Sequence, residues 1–205
     1  MIWGKTLVIR GMAIVGIAAM ATGSPMVSAQ QAPVHQFAVE GAGRVSCKQF
    51  TALYKDQKST DYQHVMGFVE GYLTAANRYE PNTFDLTPWH NAVALGLILE
   101  KHCGAHPDET LVSTLQRMVT SFRPIRVASF SKLVEVGDDK KRTIVYDAVL
   151  KRSQAALRNK GLYQGPEDGI YTPTLREAFK KFQQQKSLPA SGLPDPATLW
   201  TLLNP

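Results

Sequence analysis

Few residues of this sequence have the types and spacing to do chemistry. The only cysteines are Cys47 and Cys103, and His102 and His106 stand beside the second. In an oxidising compartment an isolated cysteine pair is most simply one disulfide, which the loop-entropy treatment credits with about 4 kcal/mol at this spacing. The alternative is a metal or thiol site at His102, Cys103 and His106. Zinc would want a fourth ligand and deprotonated thiolates, which a disulfide removes. A cysteine peptidase would likewise need a free thiolate beside a His base. A zinc hydrolase needs spaced His and carboxylate ligands, a pattern that His64, His90, His102 and His106 do not show. A transglycosylase needs a buried Glu over a glycan cleft. Glu70 and Glu100 fall on helical stretches, where Glu70 is more simply a solvated charge. The P-loop, G-x-G-x-x-G, C-x-x-C and H-E-x-x-H patterns are all missing. The expectation is therefore a protein with no catalytic residue, no metal and no cofactor.

The elements around these residues fall into four stretches of the 205-residue chain. Residues 1–29 have the three parts of an export signal: Lys5 and Arg10, the apolar run Gly11–Ala21, and a small-residue tail ending Val27-Ser28-Ala29. The rival is a retained membrane anchor, but the run is about half of the ~20 residues that cross a bilayer. A cleaved, periplasmic protein with no stable membrane span is expected. With 44% hydrophobic and 20% charged residues the rest is ordinary globular sequence. Removing Lys5 and Arg10 from the 23 basic side chains leaves 21 against 17 acidic ones, too weak a surplus to indicate nucleic acid.

Residues 44–123 read as a helical bundle. Phe50, Leu53 and Tyr54 follow Cys47 at helical spacing, and Val65, Phe68, Val69, Tyr72, Leu73 and Ala76 form a stripe. Thr87 and Pro88 predict the cap and first position of a third helix, which Gly104 would end. Pro107 would open a fourth, with Leu111, Leu115, Met118, Val119 and Phe122 on one face. A core this small is marginal, which gives the disulfide a structural purpose. The loop Glu80–His90, with Trp89 exposed or half-buried, is where a partner could bind, unless Trp89 simply caps the bundle. Residues 124–143 are a linker, or else Leu133–Val136 and Thr143–Tyr146 pair as a short hairpin across Gly137-Asp138-Asp139. Residues 144–205 form a three-helix unit with 8 basic and 5 acidic side chains. Gly169-x3-Pro173 and Gly192-x3-Pro196 enter its last two helices in the same way, with Thr172 and Asp195 as caps. The fold class is all-α.

The C-terminal unit carries Gln154-x2-Leu157-x3-Gly161-Leu162-Tyr163-x-Gly165-Pro166-x-Asp168-Gly169-Ile170-Tyr171, then Ala178-Phe179-x2-Phe182-Gln183. Leu188-Pro189-x-Ser191-Gly192-Leu193-x-Asp195-x2-Thr198-Leu199-x2-Leu202 follows. This resembles the three-helix bacterial peptidoglycan-binding domain over nearly all of residues 146–203. Thr172, Leu175 and Ser153 stand where that family usually has Gly, Thr and Leu. The resemblance implies peptidoglycan as ligand. A binder of glycan hydroxyls, amides and stem-peptide carboxylates wants aromatic faces, fixed amides and a modest positive field. The candidate contacts are Tyr163, Gly165, Asp168, Gly169, Tyr171 and Gln183. Each also has a structural reading: Asp168 ties its own loop, Gly165 and Gly169 allow positive φ, and Gln183 bonds a loop carbonyl. Phe179, Phe182 and Trp200 read as core.

Cys47-x2-Phe50, Gly67-Phe68-Val69-x-Gly71-Tyr72-x3-Ala76-Asn77 and Cys103-x3-Pro107 are more faintly similar to exported helical domains of the HdeA type, in which one disulfide pins a bundle. The function these features imply is a non-catalytic periplasmic protein that binds peptidoglycan and presents its N-terminal bundle to an envelope protein partner. The alternatives are a periplasmic stress chaperone or inhibitor with a protein-binding C-terminal module, and the accessory part of a cell-wall hydrolase.

Overall fold

Four capped helices wrap the cysteine pair. The computed structural model describes residues 37–204; the expected signal, Met1–Ala29, lies outside the described residues. Helix α1 (Cys47–Tyr54) starts at a reciprocal cap, in which the Ser46 side chain accepts from Gln49 N and the Gln49 side chain accepts from Ser46 N. Helices α2 (Thr60–Tyr79), α3 (Ala92–Ala105) and α4 (Leu111–Phe122) are capped by Ser59, Asn91 and Thr110. Cys47 opens α1, Cys103 lies in the last turn of α3, and the two form a disulfide. Phe50, Val69, Leu99, Leu111 and Leu115 close around it as one buried cluster.

Two helix starts differ from the sequence expectation. Helix α3 begins at Ala92, not Pro88, because the Asp85 carboxylate accepts from Thr87 N at 2.8 Å and folds that segment into a turn. Helix α4 begins at Leu111, not Pro107, because the carbonyls of Pro107 and Glu109 receive Lys48 N and Cys47 N from α1. Gly104 lies inside α3, which runs on to Ala105.

Of the two readings of the middle segment, the hairpin forms. Strands β1 (Leu133–Gly137) and β2 (Arg142–Tyr146) pair antiparallel, with Val134 opposite Val145 and Val136 opposite Thr143. Val136 and Val145 point inward, while Leu133 and Ile144 face water. At the turn Asp138 accepts from Lys140 N and Lys141 N, each at 3.0 Å, and takes the Arg176 guanidinium at 2.5 Å. These bonds, Arg176 first, hold its carboxyl down at about 2.

Helices α5 (Asp147–Asn159), α6 (Pro173–Gln185) and α7 (Pro196–Leu203) complete the chain. Their cluster, built on Leu150, Leu157, Phe179, Phe182 and Leu199, also takes in Val136 and Val145 of the hairpin. It takes in Trp89 as well, which is 6% exposed. Trp89 is therefore neither the exposed loop residue nor the cap of the first bundle: it is packed in the C-terminal core. Phe84 meets the Tyr146 ring edge-on at 5.8 Å. The Asp85 and Val127 backbones exchange hydrogen bonds, and Arg152 of α5 donates to the carbonyls of Ile125 and Arg126. From Ala38 onward the chain packs as one compact unit. The architecture is all-helical apart from the hairpin. Among the described residues no helix is long and apolar enough to cross a membrane.

Candidate functional site

Two buried glutamines organise the C-terminal loops, and they do it in the same way. Gln154 of α5 accepts Gly169 N at 2.8 Å, and its amide nitrogen donates to Ile170 O at 3.1 Å and to Asp168 Oδ1 at 3.0 Å. Gln183 of α6 accepts Gly192 N at 2.7 Å, and its amide nitrogen faces Leu193 O at 2.9 Å and Ser191 Oγ at 3.2 Å. Asp168 receives Ile170 N in the first loop as Ser191 receives Leu193 N in the second. Gly169 and Gly192 have φ of +79° and +75°, backbone that only glycine adopts without strain. Each loop then delivers a capping side chain, Thr172 or Asp195, and a proline at the helix start. The hydrogen bonds to Asp168, that from Ile170 N first, lower its carboxyl pKa.

The six candidate residues separate by exposure. Tyr163 is 1% exposed and Gln183 fully buried. The Tyr163 hydroxyl donates to Pro166 O at 3.0 Å, and Gln183 also faces Thr198 Oγ1 at 2.8 Å. With their polar groups paired and their surfaces covered, both side chains hold loops. Gly165 is not a positive-φ residue. It is glycine for room: a Cβ there would stand 2.3 Å from the Tyr163 hydroxyl oxygen. Gly169 is buried, while Pro166, Glu167, Asp168 and Ile170 form the exposed rim. Tyr171 is half-buried; its hydroxyl donates to Gly192 O at 2.8 Å and joins the two loops, and burial pushes its phenol up to about 12. Trp200, expected in the core, is 41% exposed. Its neighbours Leu199 and Leu202 occupy the buried face of α7.

The histidines near Cys103 have other partners than a metal. Cys103 is in the disulfide. His102 Nε2 lies 3.0 Å from Glu109 Oε2, and the second Glu109 oxygen faces Arg117 at 3.3 Å. Hydrogen bonding from His102 lowers the Glu109 pKa. Among the described residues no group of three or more His, Cys, Asp or Glu is placed to hold a metal ion.

A three-helix module with a positioned surface loop is what the C-terminal geometry defines, and residues 147–202 match the peptidoglycan binding domain family. Among curated proteins the chain is 34% identical over 89 residues to the localization factor PodJL from two strains of Caulobacter vibrioides. That match covers 42% of this chain and 8% of the length of those relatives. No solved structure matches. The C-terminal module thus supports peptidoglycan binding.

Proposed function

We propose that this chain is a non-catalytic protein of the cell envelope. It is exported to the periplasm by a cleavable signal at residues 1–29, holds peptidoglycan through residues 144–205, and presents residues 44–123 to an envelope protein. The family match over residues 147–202 carries this reading. A relative named as a localization factor fits a role in placement, and the disulfide removes both thiols from nucleophilic chemistry. In this reading the rim Pro166–Glu167–Asp168, Ile170 and the open side of Tyr171 meet the wall. Gln154, Tyr163, Gly165, Gly169 and Gln183 fix the rim's shape.

Because Trp89 and Arg152 join the two halves of the chain, the test uses residues 30–205 intact. Mixed with purified sacculi at moderate salt, this protein co-sediments, and Ile170→Asp weakens the binding about fivefold without changing the melting temperature. A protein that stays in the supernatant at low and moderate salt overturns the reading.

A further inference from the structure

An open groove of about 480 Å³ runs between α3 and α7, a size within the range of about 300–1,000 Å³ common for ligand sites. Val93 and Leu97 of α3 are 67% and 56% exposed, and Trp200 of α7 faces them. The indole is held in place: the His90 ring meets it edge-on at 5.4 Å and is itself stacked on Phe122 at 4.9 Å. Lys101 is the one residue with a full positive charge in the lining, which holds no carboxylate, and among the described residues it makes no ion pair. Helix α7, but for its last residue, lies within the segment that matches the peptidoglycan binding family, whereas α3 lies outside it. The groove is therefore built half by the matched module and half by the disulfide-held bundle.

Sugar rings need hydrogen-bond partners along their edges, and this lining has few to give. The Asn91 side-chain oxygen is used to cap α3 and the Thr201 hydroxyl donates to Ala197 O. An acidic chain with small apolar side chains suits it better, with methyl groups against aliphatic walls and a carboxylate at the lone ammonium. We propose that the groove between α3 and α7 takes the stem peptide of peptidoglycan, its alanine methyls against Val93, Leu97 and Trp200 and a free carboxylate at Lys101. This rests on the peptidoglycan-binding reading and adds that the N-terminal bundle supplies half of the site.

The test compares binding of residues 30–205 to intact sacculi and to glycan strands stripped of stem peptides by an amidase. Intact sacculi bind more tightly. Lys101→Glu and Leu97→Gln, both at exposed positions, each cost about fivefold on intact sacculi and nothing on stripped glycan. Lys55→Glu, the same charge change away from the groove, costs nothing on either. Equal binding of wild type to both polymers, or groove variants that bind intact sacculi as wild type does, overturns the groove and leaves wall binding standing. A wild-type protein that binds neither polymer overturns both.

Discussion

The bundle around Cys47–Cys103 and the three-helix module of α5, α6 and α7 solve the same problem by opposite means. Each is too small to rest on a large apolar core. The first adds a covalent crosslink between α1 and α3 and otherwise buries mainly aliphatic and aromatic side chains. The second has no cysteine and buries two primary amides, Gln154 and Gln183, each satisfying a loop backbone. A crosslink restrains the unfolded chain and leaves the surface free to vary. A buried amide instead dictates the path of one particular loop, since any other path strands polar groups without partners. The module that matches a ligand-binding family is the one built to dictate loop shape.

The largest test of this contrast attacks the residue that crosses it. Trp89→Ala removes a buried indole from the C-terminal core and is expected to cost about 3–5 kcal/mol. It should also split one thermal transition into two in calorimetry; a single unshifted transition would place the indole outside the shared core. Next, replacing Cys47 and Cys103 by Ser lowers stability by about 4 kcal/mol in denaturant titrations, with the loss concentrated in amide exchange of α1 and α3. Gln183→Ala comes third, at about 2–3 kcal/mol, because Gly192 N and Leu193 O are left unpaired in the interior. Gln154→Ala costs about 1–2 kcal/mol, because Gly169 N loses its buried partner while water still reaches Asp168 and Ile170. Equal costs for the two glutamines would show that their loops are equally closed to water.

Acid separates the His90 contact, stacked between Trp89 and Phe122, from the hairpin. Burial pushes the His90 imidazole down to about 4, against which the Thr87 carbonyl pulls weakly. The unfolded chain, with an ordinary value near 6.5, takes up a proton that the folded one refuses. Stability is therefore complete above about 6.5 and falls as pH drops toward about 4. His90→Phe should flatten that slope in melting curves taken across the window. The smallest effect lies at Asp138, whose folded value of about 2 is below its ordinary one. Its contribution is present above about 4 and fades as pH falls toward 2. Asp138→Asn should speed exchange of the hairpin amides at pH 6 while leaving α1–α4 unchanged.

Much of this was legible in the residues. The lone cysteine pair named its own bond, and apolar residues at helical spacing marked α1, α2 and α4. The two Gly-x3-Pro entries foretold the matched loops. What escaped depends on contacts between distant segments. Trp89 sits in a Pro- and Asn-containing loop, and only the fold reveals that the C-terminal core covers it. The start of α3 was displaced by Asp85, whose carboxylate takes the Thr87 amide and hydroxyl into a turn, so Thr87 does not cap a helix. Trp200 lies beside two leucines that already fill the inner face of its helix, so it faces out. Gly165 carries no sign of its purpose, because a clash with Tyr163 is invisible to any pattern of φ preference. For the candidate site, sequence located the loop, and exposure decided which members reach solvent.

Trp89 also has a history within each molecule's synthesis. Leu199, which closes the cluster that covers it, follows by about 110 residues, so a growing chain carries an uncovered indole for about 5–20 s. The residues of the bundle around Phe50 and Leu115 are all synthesised well before then. The indole thus cannot be covered before the C-terminal half of the chain has been made, however early the first four helices close.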